Sequence, residues 1–157
     1  MRLQLTRHRN GTGHTVTIVR DDGTSTAAST NVPAEHDLLH LAVETTLNRR
    51  QSFFGLVNDG FDLSDFVVAG AAQRLRLPVE AVQTEHIVNL LMLEAVYGER
   101  SPDFNSTLRG ACESTHTPSP PPIDPAALEL IRERFARYLH EWRTAERTLD
   151  LPVVFDE

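Results

Sequence analysis

The sequence of 157 residues predicts an α+β fold, in which a small antiparallel sheet packs against three main helices. Three observations predict it. The first 29 residues alternate between apolar and polar side chains, which is the pattern of half-buried strands. Three later segments repeat apolar residues at helical spacing, and each begins at a proline. The last residues alternate again and supply a further strand, which Pro152 places at the edge of the sheet.

The N-terminal segment predicts a three-stranded meander. Leu3 and Leu5 alternate with polar residues, and the glycine-containing loop of residues 9–13 allows a hairpin before Val16 and Ile18. A second turn at residues 21–23 leads to a weaker third strand that ends at residue 29. Because one face of this meander is apolar and the other polar, it must pack against another layer.

The middle of the chain predicts two long helices. The first begins near Pro33, carries Glu35 and Asp37 in its first turn, and ends near residue 48. Residues 51–70 are rich in phenylalanine and glycine and predict a short helix and a loop. The second long helix runs from Pro78 to Gly98, and a short helix from Pro102 is one interpretation of residues 101–115.

The proline-rich segment 117–123 predicts an extended connector within the chain. After it, Asp124 caps a helix with Pro125 in its first turn that continues to about residue 146, and residues 149–155 form the last strand. Too few residues follow the connector to build an independent core. The prediction is therefore one α+β domain spanning residues 1–157.

The composition excludes several function classes. All 15 basic residues are arginines, so Schiff-base, P-loop and kinase lysines are absent. The single cysteine, Cys112, allows neither an internal disulfide nor a cysteine-based zinc site. No signal peptide or membrane-spanning stretch is evident, so we expect a cytoplasmic protein without a membrane partner. A homo-oligomer is compatible with this composition.

Three histidines lie on the apolar faces of predicted helices. His36 and His40 project to the same side of the first helix, within or beside its apolar stripe, and Glu44 follows one step further round. His86 falls in the middle of a stripe on the second long helix, made of Val79, Val82, Leu90, Leu93 and Tyr97. All three imidazoles are therefore expected to point inward.

Buried imidazoles need a partner, and two histidines four residues apart on a helix can bind one divalent ion such as zinc. His36 and Glu44 are separated by about 12 Å of helical rise, so the ion would take His36 with His40, or His40 with Glu44. The remaining residue would orient the ligands, and His86 would be a further ligand from the facing helix. The alternative is a set of structural histidines bonded to Glu44, Asp37 or backbone.

The first strands carry a basic cluster in an otherwise acidic chain of net charge −7. Its members, all before the first acidic residue, are Arg2, Arg7, His8, Arg9, His14 and Arg20. Such asymmetry is one feature of nucleic-acid-binding surfaces. No aromatic residue interleaves with these arginines to stack on bases, and the net charge makes nucleic acid an unfavourable partner.

One stretch resembles a small family of bacterial proteins of unknown activity. It comprises Val32-Pro33, His36-Asp37-Leu38, His40, Val43-Glu44, the segment Phe53-Phe54-Gly55-Leu56-Val57, and Gly60. The resemblance covers mainly residues 32–60, with a looser similarity in the helix ending near Arg143 and in the final strand. It implies a shared fold and no particular chemistry.

Three functional hypotheses follow. The first is a non-catalytic module that binds a partner protein or a small ligand, with structural histidines; it is favoured because inward histidines are more often hydrogen-bonded within a core than bound to a metal. No nucleophile lies beside a base, so no reaction class is indicated. The second is a divalent-metal-binding protein or metal-dependent hydrolase-like enzyme using His36, His40, His86 and Glu44. The third is a nucleic-acid accessory module that uses the arginine-rich strands. The sequence does not decide whether the protein is an enzyme.

Overall fold

The computed structural model describes residues 1–66 and 76–156, and within them the fold is α+β, as the sequence predicts. The strands are β1 (Arg2–Arg7), β2 (His14–Val19), β3 (Ser25–Thr30) and β4 (Thr148–Pro152). The helices are α1 (Ala34–Leu47), α2 (Phe53–Asn58), α3 (Leu63–Phe66), α4 (Val79–Tyr97), α5 (Phe104–Ser114) and α6 (Pro125–Thr144). The rest of the predicted 51–70 segment, from residue 67 onward, lies outside the described residues.

The described strands form one antiparallel sheet in the order β3-β2-β1-β4, which confirms the meander and the C-terminal edge strand. Leu3 of β1 pairs with Ile18 of β2 and with Leu151 of β4, so alternate apolar residues share one face. That face is buried, with Leu3 and Ile18 fully inaccessible to solvent. The final strand ends at Pro152, earlier than residue 155, because Pro152 pairs with Arg2, the residue at which the neighbouring strand β1 begins.

Helix α1 lies at the centre of the helical layer. It packs against α4 and against α6, and its residues from Leu38 to Thr45 are all buried. Pro33 precedes the first turn, and Asn48 closes the last turn in a left-handed conformation with φ of 51°. A helix enclosed on several sides buries polar as well as apolar positions, and this explains why His40 and Glu44 are buried there.

Helix α4 begins and ends as predicted, but the predicted inward stripe is wrong. The side chains that α4 buries are Thr84, Ile87, Val88 and Leu91, whereas Leu93 and Tyr97 of the predicted stripe are 51% and 73% exposed. Apolar residues occur nearly all round this helix, so its sequence contains two apolar stripes. The core selects the one that packs against α1.

The C-terminal third completes the same core. The short helix α5 is confirmed, and the predicted connector has no helix or strand. Asp124 accepts a hydrogen bond from the Ala126 N–H at the start of α6, as its capping role requires. The buried apolar side chains between Ile123 and Val153 belong to a core cluster that also contains Leu3 and Ile18. In the part of the chain described, no helix has the length and apolar character of a membrane span.

Candidate metal centre

Helix α1 brings His36 and His40 together on the side that faces α4. They are one helical turn apart, and their ring centroids are separated by 4.7 Å in an edge-to-face arrangement. The side chain of His36 remains 28% exposed, whereas that of His40 is 6% exposed. The imidazole of His40 is therefore buried, whereas that of His36 reaches towards solvent.

Glu85 of α4 bridges the two imidazoles. Its Oε1 accepts from His36 Nε2 at 3.1 Å, and its Oε2 accepts from His40 Nε2 at 3.1 Å. Polar contacts behind the site hold α4 in the register that this bridge requires. Arg49 Nε donates to Thr84 Oγ1 at 2.7 Å, and the hydroxyl groups of Ser52 and Thr84 lie 2.6 Å apart. We call His36, His40 and Glu85 the His–Glu cluster.

Glu44 supports the cluster from inside the core. Its Oε1 accepts from His40 Nδ1 at 2.9 Å, and its Oε2 accepts from the Phe54 N–H of α2 at 2.9 Å. Gly55 makes this second contact achievable, because a Cβ atom at that position would lie 1.7 Å from the Arg50 carbonyl oxygen. Glu44 is therefore fixed at both carboxylate oxygens, and it fixes the orientation of the His40 ring.

Burial and hydrogen bonding shift the pKa values of His40, Glu85 and the neighbouring Glu44. Burial disfavours the charged form of His40, but hydrogen bonds to Glu44 and Glu85 outweigh it and raise the His40 pKa to about 10. Burial also acts to raise the pKa of Glu85, but hydrogen bonds from His36 and His40 dominate and hold that pKa well below its usual range. At Glu44 burial dominates and raises the pKa.

The donor atoms of the His–Glu cluster lie close enough together to be candidate ligands of one metal ion. One ligand atom from each of the three residues lies within 4.8 Å of the other two. Ligands on a tetrahedral zinc ion with bonds of about 2.1 Å are about 3.4 Å apart, close to the two 3.1 Å contacts here. Two imidazoles and one carboxylate are also a known catalytic zinc ligand set.

The cluster lies in the wall of a cavity of about 650 Å³ between β3 and helices α1 to α4, which we call the histidine cavity. Six side chains supply much of its apolar surface, namely Val16, Phe53, Leu63, Phe66, Leu77 and Val82. Asp37 also reaches the cavity, but its Oδ2 lies 3.2 Å from His14 Nε2. A few polar groups in a largely apolar cavity are typical of a small-molecule site.

Comparison with protein-family models, curated proteins and solved structures finds no match. The resemblance of residues 32–60 to a bacterial family therefore stays a prediction. What the chain does must be inferred from its own site.

His86 does not join the other predicted ligands, and its expected position facing α1 is wrong. Its Nε2 lies 2.9 Å from Thr115 Oγ1 at the end of α5. At about 100° per residue, His86 lies about 160° round the helix axis from the buried Thr84. The error follows from the wrong choice between the two apolar stripes of α4.

Glu85 is the ligand candidate that the sequence did not single out. It lies at the edge of the buried face of α4, about 100° from Thr84. The pattern that could have identified it is an acidic residue beside the buried stripe of Thr84, Val88 and Leu91, on the side that faces the two histidines of α1. This pattern can be recognised only when it is known which face of α4 packs against α1.

The basic cluster of the first strands is largely engaged within the fold. The Arg7 guanidinium lies 3.9 Å from the centre of the Trp142 ring and donates to the Trp142 carbonyl. Arg20 donates to the carbonyl oxygens of Val57 and Phe61 at 2.6 and 3.0 Å. His14 is buried against Trp142. These side chains therefore stabilise the packing of the sheet against its neighbours.

Proposed function

We propose that this protein binds one divalent transition-metal ion, with zinc as the first candidate, through His36, His40 and Glu85. The observation that carries the proposal is the convergence of three metal-ligating atoms from two helices at the wall of an apolar cavity. The ligands would be the Nε2 atoms of the two histidines and a carboxylate oxygen of Glu85. The protein would act as a metal-dependent binding domain for a small ligand.

The surroundings of His40 support this assignment. A metal-ligating histidine usually donates its other ring N–H to a carboxylate, which fixes the tautomer and strengthens the ligand. Glu44 is such a carboxylate, because it accepts a hydrogen bond from His40 Nδ1, and its second oxygen accepts one from the Phe54 N–H. An ion would bind His40 Nε2 in place of the proton that this atom now donates to Glu85.

The competing explanation is an ion-pair network that joins α1 to α4 without a metal. The hydrogen bonds of Glu85 to both imidazoles would satisfy every charge in that case. Placement favours the metal site, because the Glu85 side chain is 46% exposed beside the cavity and can be reached by an ion.

Metal analysis separates the two explanations. The protein is purified without added metal and without an affinity tag that binds metal, and its zinc, iron, manganese and nickel contents are measured. We expect close to one equivalent of a single metal, and a higher melting temperature when a stripped sample is reloaded. Less than about 0.1 equivalent, with no thermal shift on adding any of these metals, would overturn the proposal.

Substitutions locate the site. Glu85→Gln keeps the shape of the side chain but weakens it as a ligand, and we expect the affinity for zinc to fall at least about 10-fold. His40→Ala should abolish stoichiometric binding. The matched controls are His86→Ala, on the other side of α4, and His140→Ala, exposed on α6. Equal losses in the controls and in the cluster variants would place the metal elsewhere.

A further inference from the structure

The open coordination positions of the proposed ion would face the histidine cavity. His36, His40 and Glu85 all contribute to the cavity wall, and three protein ligands leave at least one position free on a tetrahedral or larger coordination sphere. This inference rests on the proposed metal site and concerns what would occupy that free position.

Charge favours an anionic donor. A dication bound by two neutral imidazoles and one carboxylate leaves a coordination sphere with a charge of +1. The two other carboxylates nearby are engaged, because Glu44 is held behind the His40 ring and Asp37 is paired with His14. An anionic oxygen group entering from the cavity would neutralise the sphere.

The walls favour an apolar body behind that group. Phe53 lies 5.5 Å from the His40 ring and 5.2 Å from the Phe66 ring, measured between centroids. The aromatic surface therefore begins directly beside the metal-ligating atoms. Leu63, Leu77 and Val82 extend the apolar lining away from the cluster. A polar or multiply charged body would lose its hydration against these walls without replacement.

We infer that the histidine cavity binds a small monocarboxylate with an apolar chain or ring. Its carboxylate would ligate the ion held by His36, His40 and Glu85, and its apolar part would lie against Phe53 and Phe66. A volume of about 650 Å³ is in the range of small-molecule sites and exceeds what a short acid such as acetate would fill.

The test uses the full chain loaded with Co²⁺, whose visible absorption reports changes in its ligands. Three probes separate the contribution of the carboxylate from that of the apolar chain. Octanoate has both groups, acetate has only the carboxylate, and octan-1-ol has only the chain. Burial of one methylene is worth about fourfold in affinity. We expect octanoate to perturb the cobalt spectrum and to bind about 100-fold more tightly than acetate, allowing for incomplete burial of its chain.

Metal dependence completes the test. Calorimetry should show octanoate binding the loaded protein at least about 10-fold more tightly than the metal-free protein. A protein that does not bind Co²⁺ would refute the metal proposal itself. A protein that binds Co²⁺ but shows equal affinity for acetate and octanoate would overturn only the present inference.

Two variants and a control assign the binding to the cavity. Ala81→Phe fills the cavity from α4, and Val82→Thr places a hydroxyl group in its wall with little change of shape. Both should keep Co²⁺ binding and weaken octanoate at least about 10-fold and about threefold, respectively. Ala95→Phe, at an exposed position of the same helix, should leave both affinities unchanged. Unchanged octanoate affinity in both cavity variants would overturn the inference.

Discussion

Replacement of Glu44 by glutamine tests how the core supports the candidate site. The carboxylate accepts hydrogen bonds at both oxygens, from His40 Nδ1 and from the Phe54 N–H. A glutamine of the same shape accepts at only one. If its oxygen faces Phe54, its NH₂ group faces His40 Nδ1 and favours the tautomer with the proton on Nε2. If it is flipped, the NH₂ group opposes the Phe54 N–H.

The geometry sets the size of the effect. In the flipped orientation one buried hydrogen bond is lost and the Phe54 N–H is left unsatisfied, whereas in the other orientation the charged form of His40 loses its carboxylate partner, and either loss costs about 1–3 kcal/mol of unfolding free energy. Loss of the carboxylate behind a metal-ligating histidine lowers metal affinity about 10- to 100-fold. Urea denaturation in the presence of a chelator measures the first quantity, and competition with a chromophoric zinc chelator measures the second.

The control is Glu133→Gln, which makes the same chemical change at an exposed position of α6 and should alter neither quantity. The reasoning would be refuted if Glu44→Gln stayed within about 0.5 kcal/mol of the wild-type stability and within twofold of its zinc affinity. A stability loss with unchanged zinc affinity would remove Glu44 from the site and leave it a structural role.

Three further predictions concern neighbouring features. Gly55→Ala should destabilise the fold by about 2 kcal/mol in urea denaturation and weaken zinc binding, because a Cβ atom would collide with the Arg50 carbonyl and displace α2 from Glu44. Asp124→Ala should cost about 1 kcal/mol in the same assay and leave zinc affinity unchanged, since it removes only the cap of α6. Zinc binding between pH 6 and 8 should release at least one proton and tighten as pH rises, because the raised pKa of His40, about 10, keeps it protonated without the ion. Calorimetry in buffers of different ionisation enthalpy counts the protons.

The fold was largely predictable because most of its elements carry local signals. Alternation around Leu3 and Ile18 predicts strands, and Asp124 with Pro125 predicts the start of α6. These signals act over a few residues and do not depend on which surfaces meet. The α+β class and the order of the elements follow from them.

The site was only half predictable because it depends on how two helices face one another. His36 and His40 lie on one helix, so their proximity follows from the helical repeat alone. The partner across the interface depends on which stripe of α4 is buried, and that helix is apolar nearly all round. The core buries Ile87 and Val88, which brings Glu85 to the histidines and turns His86 towards Thr115.

The most direct test of the proposed metal site is an anomalous difference map from a crystal of the zinc-loaded protein, recorded on both sides of the zinc absorption edge. We predict one strong peak at about 2.0–2.2 Å from His36 Nε2, His40 Nε2 and a Glu85 carboxylate oxygen. His40 Nδ1 should remain bonded to Glu44. A map without a peak there, with Glu85 still bonded directly to both imidazoles, would contradict the metal site and leave the cluster as an ion-pair network between α1 and α4.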